Sequence, residues 1–268
     1  MIHKTASQKG IDYLYHWEKL DLSYLDCLLR TNSIYCSNPG DFNDPWDSKP
    51  HYNTSGCYVS VERTKIIGWI VKAVKKSGKR TESELEAMKI ALERDPSELE
   101  RTLIKMNSDI ASGVRNQYRV YCFGTDPYNL LMWSHYAKSH SGICLQFEVR
   151  NTVVCAALEC TYSKEYPIFD VHDDSDGAQL KGLLSKSDVW TYESEYRLIA
   201  QDESYRTEKF SLITKNNYLE LPKGTIKSII VGCRGNYEVV KTLVDKYDPT
   251  IQVKRAILIP NEYKIEIV

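Results

Sequence analysis

Glu193, Glu195 and Arg197, set at alternate positions in the run WTYESEYRLI (190–199), are the side chains of this 268-residue sequence best placed to do chemistry. The run is predicted to be a strand. Side chains two apart in a strand leave the same face, so the three charges would share one side, with Tyr192, Tyr196 and Leu198 on the other. Two readings fit the pattern. In one, an exposed face carries Arg197 as the offset to one glutamate. In the other, a carboxylate is held in a cleft, where burial and neighbouring charge tune it for a reaction. The second reading requires the rest of the chain to supply partners.

Candidate partners occur in three places. Residues 11–16 (IDYLYH) read as a short strand that presents Tyr15 and His16. Leucines 22, 25, 28 and 29 follow at helical spacing, and 33–37 (SIYCS) returns as a second strand with Tyr35 and Ser37. Behind it, NPGDFNDPWD (38–47) is turn chemistry: Pro39-Gly40 suits a tight turn, Asn43-Asp44-Pro45 offers Asx capping, and Phe42 and Trp46 are expected to pin the loop. Ordered loops of this kind carry binding groups. Residues 130–140 (LLMWSHYAKSH) are predicted to form a three-turn helix with Trp133, Tyr136 and His140 on one face and His135 offset. A buried carboxylate with aromatic surfaces, hydroxyls and an imidazole is what cleavage of a ribosyl bond needs. The transition state is a cationic oxocarbenium that a carboxylate stabilises, and a flat leaving base stacks on a ring.

Composition narrows the alternatives. A net charge of -1 gives no bulk attraction to nucleic acid. Nineteen Tyr against five Phe point to rings at polar boundaries, the kind that line clefts for flat ligands. Eight cysteines without a C-x-x-C pair lie in apolar runs and read as reduced core residues, inert as nucleophiles. No apolar run approaches the ~20 residues needed to cross a bilayer and no leader opens the chain, so a cytoplasmic address is expected, and the Asn53-Thr54-Ser55 glycosylation match loses its meaning. His135 and His140 lack H-E-x-x-H spacing, and His172-x-Asp174-x-Asp176-Gly177 has Leu183 where a calcium loop needs its bidentate glutamate, so no metal is expected. No Walker A motif occurs, and Gly232-Cys233-Arg234-Gly235 is a short glycine turn.

The elements that must position these groups alternate in type. Residues 59–117 are helical: Ile66, Ile67, Ile70, Val71 and Val74 mark one helix, the Thr81-x-x-Glu84 capping box opens a second, and Asp95-Pro96 opens a third. Strands are predicted at 118–123, 142–147, 153–162, 192–200, 209–213, 226–231, 251–259 and 263–268, with a helix at 237–247. This predicts a single α+β domain over 1–268 with a mixed, mostly antiparallel β core and a helical insertion at about 59–117.

The same motifs resemble a family of bacterial and phage-associated proteins, the domain of unknown function DUF2971. They are Leu14-Tyr15-His16-Trp17, Ile34-Tyr35-Cys36-Ser37-Asn38-Pro39 through Phe42-Asn43-Asp44-Pro45-Trp46-Asp47, Cys122-Phe123, Met132-Trp133-Ser134-His135-Tyr136-Ala137 with His140 and Gly142, and Trp190 to Arg197. The resemblance covers about residues 13–200. A further resemblance is to ADP-ribosyltransferases, including toxins that modify nucleic acid. It implies that His16 binds the adenosine-side ribose of NAD, that Tyr35 or Ser37 sits near nicotinamide, that Glu195 is the catalytic glutamate and that Glu193 activates the acceptor. The W-S-H-Y-A segment lies outside the transferase pattern.

Three expectations follow. The first is transfer of ADP-ribose from NAD to nucleic acid or protein, in a toxin or phage-defence setting, with an antitoxin or chaperone as partner and no membrane involvement. On this reading Glu195 and Glu193 are catalytic, while Tyr15, His16, Tyr35, Ser37, Asn43, Asp44, Trp133, His135 and Tyr136 bind NAD. The second is a metal-independent hydrolase or nuclease using His135 or His140 with Glu193 and Glu195. The third is a non-catalytic module that binds a nucleotide or peptide in its tyrosine-rich cleft.

Overall fold

The computed structural model describes residues 3–49, 51–169, 178–207 and 211–268. In chain order the elements are β1 (Tyr13–Glu18), α1 (Leu22–Thr31), β2 (Ser33–Tyr35), β3 (His51–Tyr52), α2 (Ser60–Lys76), α3 (Glu82–Arg94), α4 (Pro96–Gln117), β4 (Tyr118–Phe123), α5 (Leu130–His135), β5 (Ile143–Glu148), β6 (Leu158–Glu159), β7 (Thr161–Ser163), β8 (Ile168–Phe169), α6 (Ala178–Leu184), β9 (Ser185–Ser187), β10 (Tyr196–Asp202), β11 (Ile213–Thr214), β12 (Tyr218–Glu220), β13 (Ile226–Val231), α7 (Tyr237–Tyr247), β14 (Gln252–Leu258) and β15 (Ile265–Ile267). The architecture is α+β with mixed, mostly antiparallel pairing. The chain divides into two compact units: residues 1–43, 117–164 and 186–268, and residues 44–116 and 165–185.

The first unit holds a five-stranded sheet, in the order β1-β5-β13-β14-β15, and a four-stranded sheet in which β10 lies between β11 and β4 and also pairs with β6. β4 is the hinge of the arrangement. On one edge it pairs antiparallel with β10, with Arg197 opposite Cys122. Its other edge bridges Ser37 at Val120 and Tyr15 at Gly124. The first strand, the segment after β2 and the glutamate-bearing strand therefore all gather round one element. Apolar residues on one face of β4 and β10 (Tyr121, Phe123, Tyr196, Leu198) join Leu14, Leu25, Leu28, Phe147 and Val240 in the main core. The alternation of the strands sends Cys122 and Arg197 to the opposite face.

The second unit contains α2, α3 and α4, packed around Ile66, Ile67, Ile70, Leu92, Leu99 and Leu103. The Thr81/Glu84 capping box forms in both directions. Asp95 accepts from the Ser97 amide at the start of α4.

Four local expectations are corrected. The 190–199 run is not one strand: residues 188–193 form a 3-10 helix, Ser194 takes a left-handed φ of 44°, and β10 starts only at Tyr196. The helix at 130 ends at His135, because Lys138, Ser139 and His140 have φ of 45°, 52° and 66°, which no right-handed helix accommodates. Residues 153–156 are a 3-10 turn rather than the opening of a strand. Trp46 is 68% exposed and does not pin its loop. The acidic turn at 172–177, and residues 209 and 210 of the expected strand, lie outside the described residues.

Candidate functional site

The break at Ser194 decides the site. In a regular strand Glu193 and Glu195 would stand parallel, whereas here the left-handed kink lets both carboxylates converge on one ammonium, that of Lys186. Lys186 Nζ donates to Glu193 Oε2 and, at 2.8 Å, to Glu195 Oε2. Arg197 donates from Nε to Glu195 Oε1 at 2.8 Å and from Nη2 to Oε2 at 3.1 Å, the two-pronged geometry that suits a carboxylate. Tyr136 OH donates to Glu193 Oε1 at 2.6 Å, and Tyr162 OH accepts from the Glu195 amide at 2.8 Å. All four charged side chains are buried, with Glu195 at 3% and Arg197 at 0% exposure. The exposed-face reading of this pattern therefore fails.

Among these four side chains the charges balance, and the electrostatics follow from who faces whom. Burial alone would raise the Glu195 carboxyl, but Arg197 and Lys186 beside it, with a Cys122 thiol hydrogen bond, hold it well below the usual carboxylate range. Burial disfavours the Lys186 ammonium, and the two carboxylates outweigh it, so its pKa lies above the ordinary value. Glu193 moves the other way. It has no guanidinium partner, and burial with the Glu195 charge raises it despite Lys186. The result is one permanent anion beside one carboxyl that exchanges a proton more readily, the split that separates two acids into two roles.

β1 reaches this cluster at two points. His16 Nδ1 donates to the Cys122 carbonyl at 2.7 Å, filling the gap on the β4 edge between the Ser37 and Tyr15 bridges. Its ring stacks on Tyr121 with centroids 4.1 Å apart. Burial lowers its pKa to about 4, so the imidazole is neutral, and the carbonyl contact places the proton on Nδ1 and leaves Nε2 an acceptor. At Gly124, a Cβ would stand 2.9 Å from the Glu193 carbonyl oxygen and 2.9 Å from Trp17 Cζ3. No side chain fits where β1, the end of β4 and the glutamate backbone meet.

The other expected site residues distribute as follows. Phe42 lies under the Arg197 guanidinium at 5.2 Å, which brings the start of the N-D-P loop to the cluster, with Asn43 exposed next to it. Asp44 belongs to the second unit, where its carboxylate accepts from the Trp46 amide. Ser37 is tied by its backbone to Val120, and Tyr35, exposed at its ring, accepts from Asn217 and packs edge-on to Tyr218. Tyr15 points to the face opposite His16 and accepts from Gln146. Trp133 is fully buried, donating from its indole to the Pro127 carbonyl. His135 is exposed, its ring 6.4 Å from Tyr136 and 6.2 Å from Tyr192. His140 stacks on Trp133, and its carbonyl would stand 2.2 Å from a Cβ at Gly232, so that glycine is required. Among the described residues no group of three or more His, Cys, Asp or Glu converges to hold a metal ion. No described helix is long and apolar enough to cross a membrane.

Sequence reasoning missed Lys186, Cys122, Tyr162 and Gly124. Lys186 had a usable signal: burying two glutamates with one arginine leaves a net charge, which demands a second cation nearby. No curated protein and no solved structure matches the chain. Residues 132–198, from α5 to the arginine strand, match the model of the family described as Protein of unknown function (DUF2971), and this match supports the family assignment that the motifs suggest.

Proposed function

We propose that the protein transfers ADP-ribose from NAD to a macromolecular acceptor, nucleic acid or protein, and that its first unit is an ADP-ribosyltransferase-like fold. The observation that carries the reading is the position of Cys122 on β4: its carbonyl accepts from His16, and Arg197, which holds the Glu195 carboxylate, pairs opposite it on β10. Ser37 on the same edge of β4 supplies the third expected group.

In this mechanism the bond between nicotinamide and ribose breaks, the electron pair leaves with nicotinamide, and the ribosyl cation is stabilised by the Glu195 carboxylate, kept ionised by Arg197 and Lys186. The acceptor's nucleophilic atom attacks the cation, and its proton passes to Glu193, whose raised pKa suits a base. Tyr136 orients Glu193 through its hydroxyl. A toxin or phage-defence role, held in check by an antitoxin or chaperone partner, is the setting we propose for such an activity.

The test is thermal unfolding with NAD. A ligand at 100 times its Kd stabilises by about 2.7 kcal/mol, and Glu195→Gln should keep that shift while losing nicotinamide release. Absence of any shift at millimolar NAD, with turnover of a nucleic-acid substrate lacking NAD, points instead to the hydrolase reading.

A further inference from the structure

Aromatic rings border the Glu193/Glu195 cluster in a continuous run. Trp190 lies 6.0 Å from Tyr192, Tyr192 6.2 Å from His135 and His135 6.4 Å from Tyr136, centroid to centroid, with successive tilts of 45°, 38° and 68°. Both ends of the run return to one carboxylate. Tyr136 donates to Glu193 Oε1, and the Lys186 ammonium that donates to Glu193 Oε2 stands 5.2 Å from the Trp190 ring centroid. His135 is exposed and the other three residues are half-buried, so all of them keep surface in water. Leu131, one turn before His135 on α5, and Val189, next to Trp190, are exposed as well and extend the surface. The two segments that carry the rings are tied together. Asn129 caps α5 by accepting from the Leu131 and Met132 amides, and its own amide group donates to the Tyr192 carbonyl at 2.6 Å. The rings are thus set before any ligand arrives, which lowers the cost of binding one.

The makeup of the run selects its occupant. Each ring carries a polar atom, in two phenols, an imidazole and an indole, whereas a seat for an apolar side chain needs hydrocarbon only. Exposed rings of this kind hold flat, polar-edged partners by stacking, the way proteins hold unpaired bases. A guanidinium or ammonium group would also sit on aromatic faces, but Lys186 already takes that place at Trp190 and repels a second cation. A duplex hides its base faces in its own stack, and a net charge of -1 gives its phosphates no bulk attraction. An unpaired base meets neither obstacle.

We propose that Trp190, Tyr192, His135 and Tyr136 form a stacking platform for a nucleobase of single-stranded nucleic acid, held beside Glu193. Naming that base as the acceptor rests on the NAD reading. In the transfer, the bond from the anomeric carbon of the ribose to the nicotinamide nitrogen breaks and its electron pair leaves with nicotinamide. A nitrogen of the base bonds to that carbon, and the proton it loses passes to Glu193. His135 and Tyr136 then serve the acceptor rather than NAD, because Tyr136 is bonded to the acid that takes the acceptor's proton, whereas His16 and Ser37 lie along the edge of β4 away from β10.

The experiment is fluorescence anisotropy of the full chain, without NAD, against fluorescein-labelled strands of about 12 nucleotides, within the site sizes of such surfaces. The probes are a mixed-sequence single-stranded DNA, the same sequence as RNA, its DNA duplex, and an abasic strand of equal charge. The platform predicts saturable binding of a single strand, the DNA and RNA arms telling which sugar is preferred, and at least roughly tenfold weaker binding of the duplex and the abasic strand. His135→Ala and Tyr192→Leu should each weaken binding roughly tenfold with Tm held, and Tyr192→Phe, which keeps the ring, should bind like the unaltered chain. No binding of either single strand, equal binding of the abasic strand, or unchanged binding by His135→Ala and Tyr192→Leu would overturn the proposal. With biotin-labelled NAD added, label on the bound strand is the expected result, and label only on added casein would overturn the base as acceptor. Strand binding of the predicted pattern without nicotinamide release would uphold the platform and sink the NAD reading alone.

Discussion

Two acids in the same unit, Glu195 buried and Glu18 half-buried, behave in opposite ways. Glu195 is wrapped by Lys186 and Arg197 and stays ionised, whereas burial and the Asp21 charge push Glu18, which leaves one oxygen unpartnered, up to about 8. Loss of solvent raises both carboxyls, so burial does not decide the protonation state. The difference is whether sequence and topology deliver a cation to the same place. At Glu195 they do so by a left-handed residue and a short strand contributing Lys186. Among the described residues no cation bonds Glu18, and one of its oxygens remains unpartnered.

The largest effect expected from breaking this contrast is at Lys186. Lys186→Met leaves two buried carboxylates with one guanidinium, and should cost about 3–5 kcal/mol in urea unfolding. A loss under 1 kcal/mol would mean the cluster is solvated rather than buried. Glu18 predicts a pH signature. Its folded pKa of about 8 lies above the unfolded value of 4.5, so the native state binds the extra proton and stability falls as pH rises from about 4.5 to 8, by up to about 4 kcal/mol. Glu18→Gln should flatten that decline. His16 works in the other sense. Its folded pKa of about 4 lies below the unfolded 6.5, so its contribution is complete above 6.5 and is lost as pH falls toward 4. The two slopes oppose each other between about 4.5 and 6.5, and above 6.5 the His16 contribution is flat while Glu18, with the raised Glu193, sets the decline.

The smallest effects sharpen the comparison through two tyrosines. Tyr136→Phe deletes a hydroxyl that donates to Glu193, and should lower stability by about 1.5–3 kcal/mol, the range for a hydrogen bond to a charged group. Tyr121→Phe deletes one that has no partner, and should change stability by about 1 kcal/mol or less, in the stabilising direction. Equal losses in the two variants would show that Tyr121 has a structural partner.

Legibility in the sequence tracked how local the determining interaction is. The Thr81/Glu84 capping box, the amphipathic α7 at 237–247 and the apolar β4 at 118–123 are written within a few residues, and each forms at its expected place. The convergence of Glu193 and Glu195 was read from their spacing, but the reason given, a shared strand face, was not the operative one. Ser194 adopts a conformation for which serine has no preference, and tertiary contacts impose it. The early end of α5 has the same origin, since the turn at 138–140 is set by the close passage of His140 against Gly232, more than ninety residues away. Cys122 joins the site only through the pairing of β4 with β10, which no local pattern encodes, whereas Lys186 lies just seven residues before Glu193 and is brought round by the turn at 188–193.

The proposed transfer depends most on Glu195 as the anion opposite a forming ribosyl cation. Nicotinamide release from NAD by the full chain, compared with Glu195→Gln, addresses that claim directly. A drop of about 100-fold or more in the variant, with its NAD-induced rise in Tm retained, is the predicted result. Release at the same rate in both proteins, or none from the unaltered chain under any acceptor tried, would contradict it.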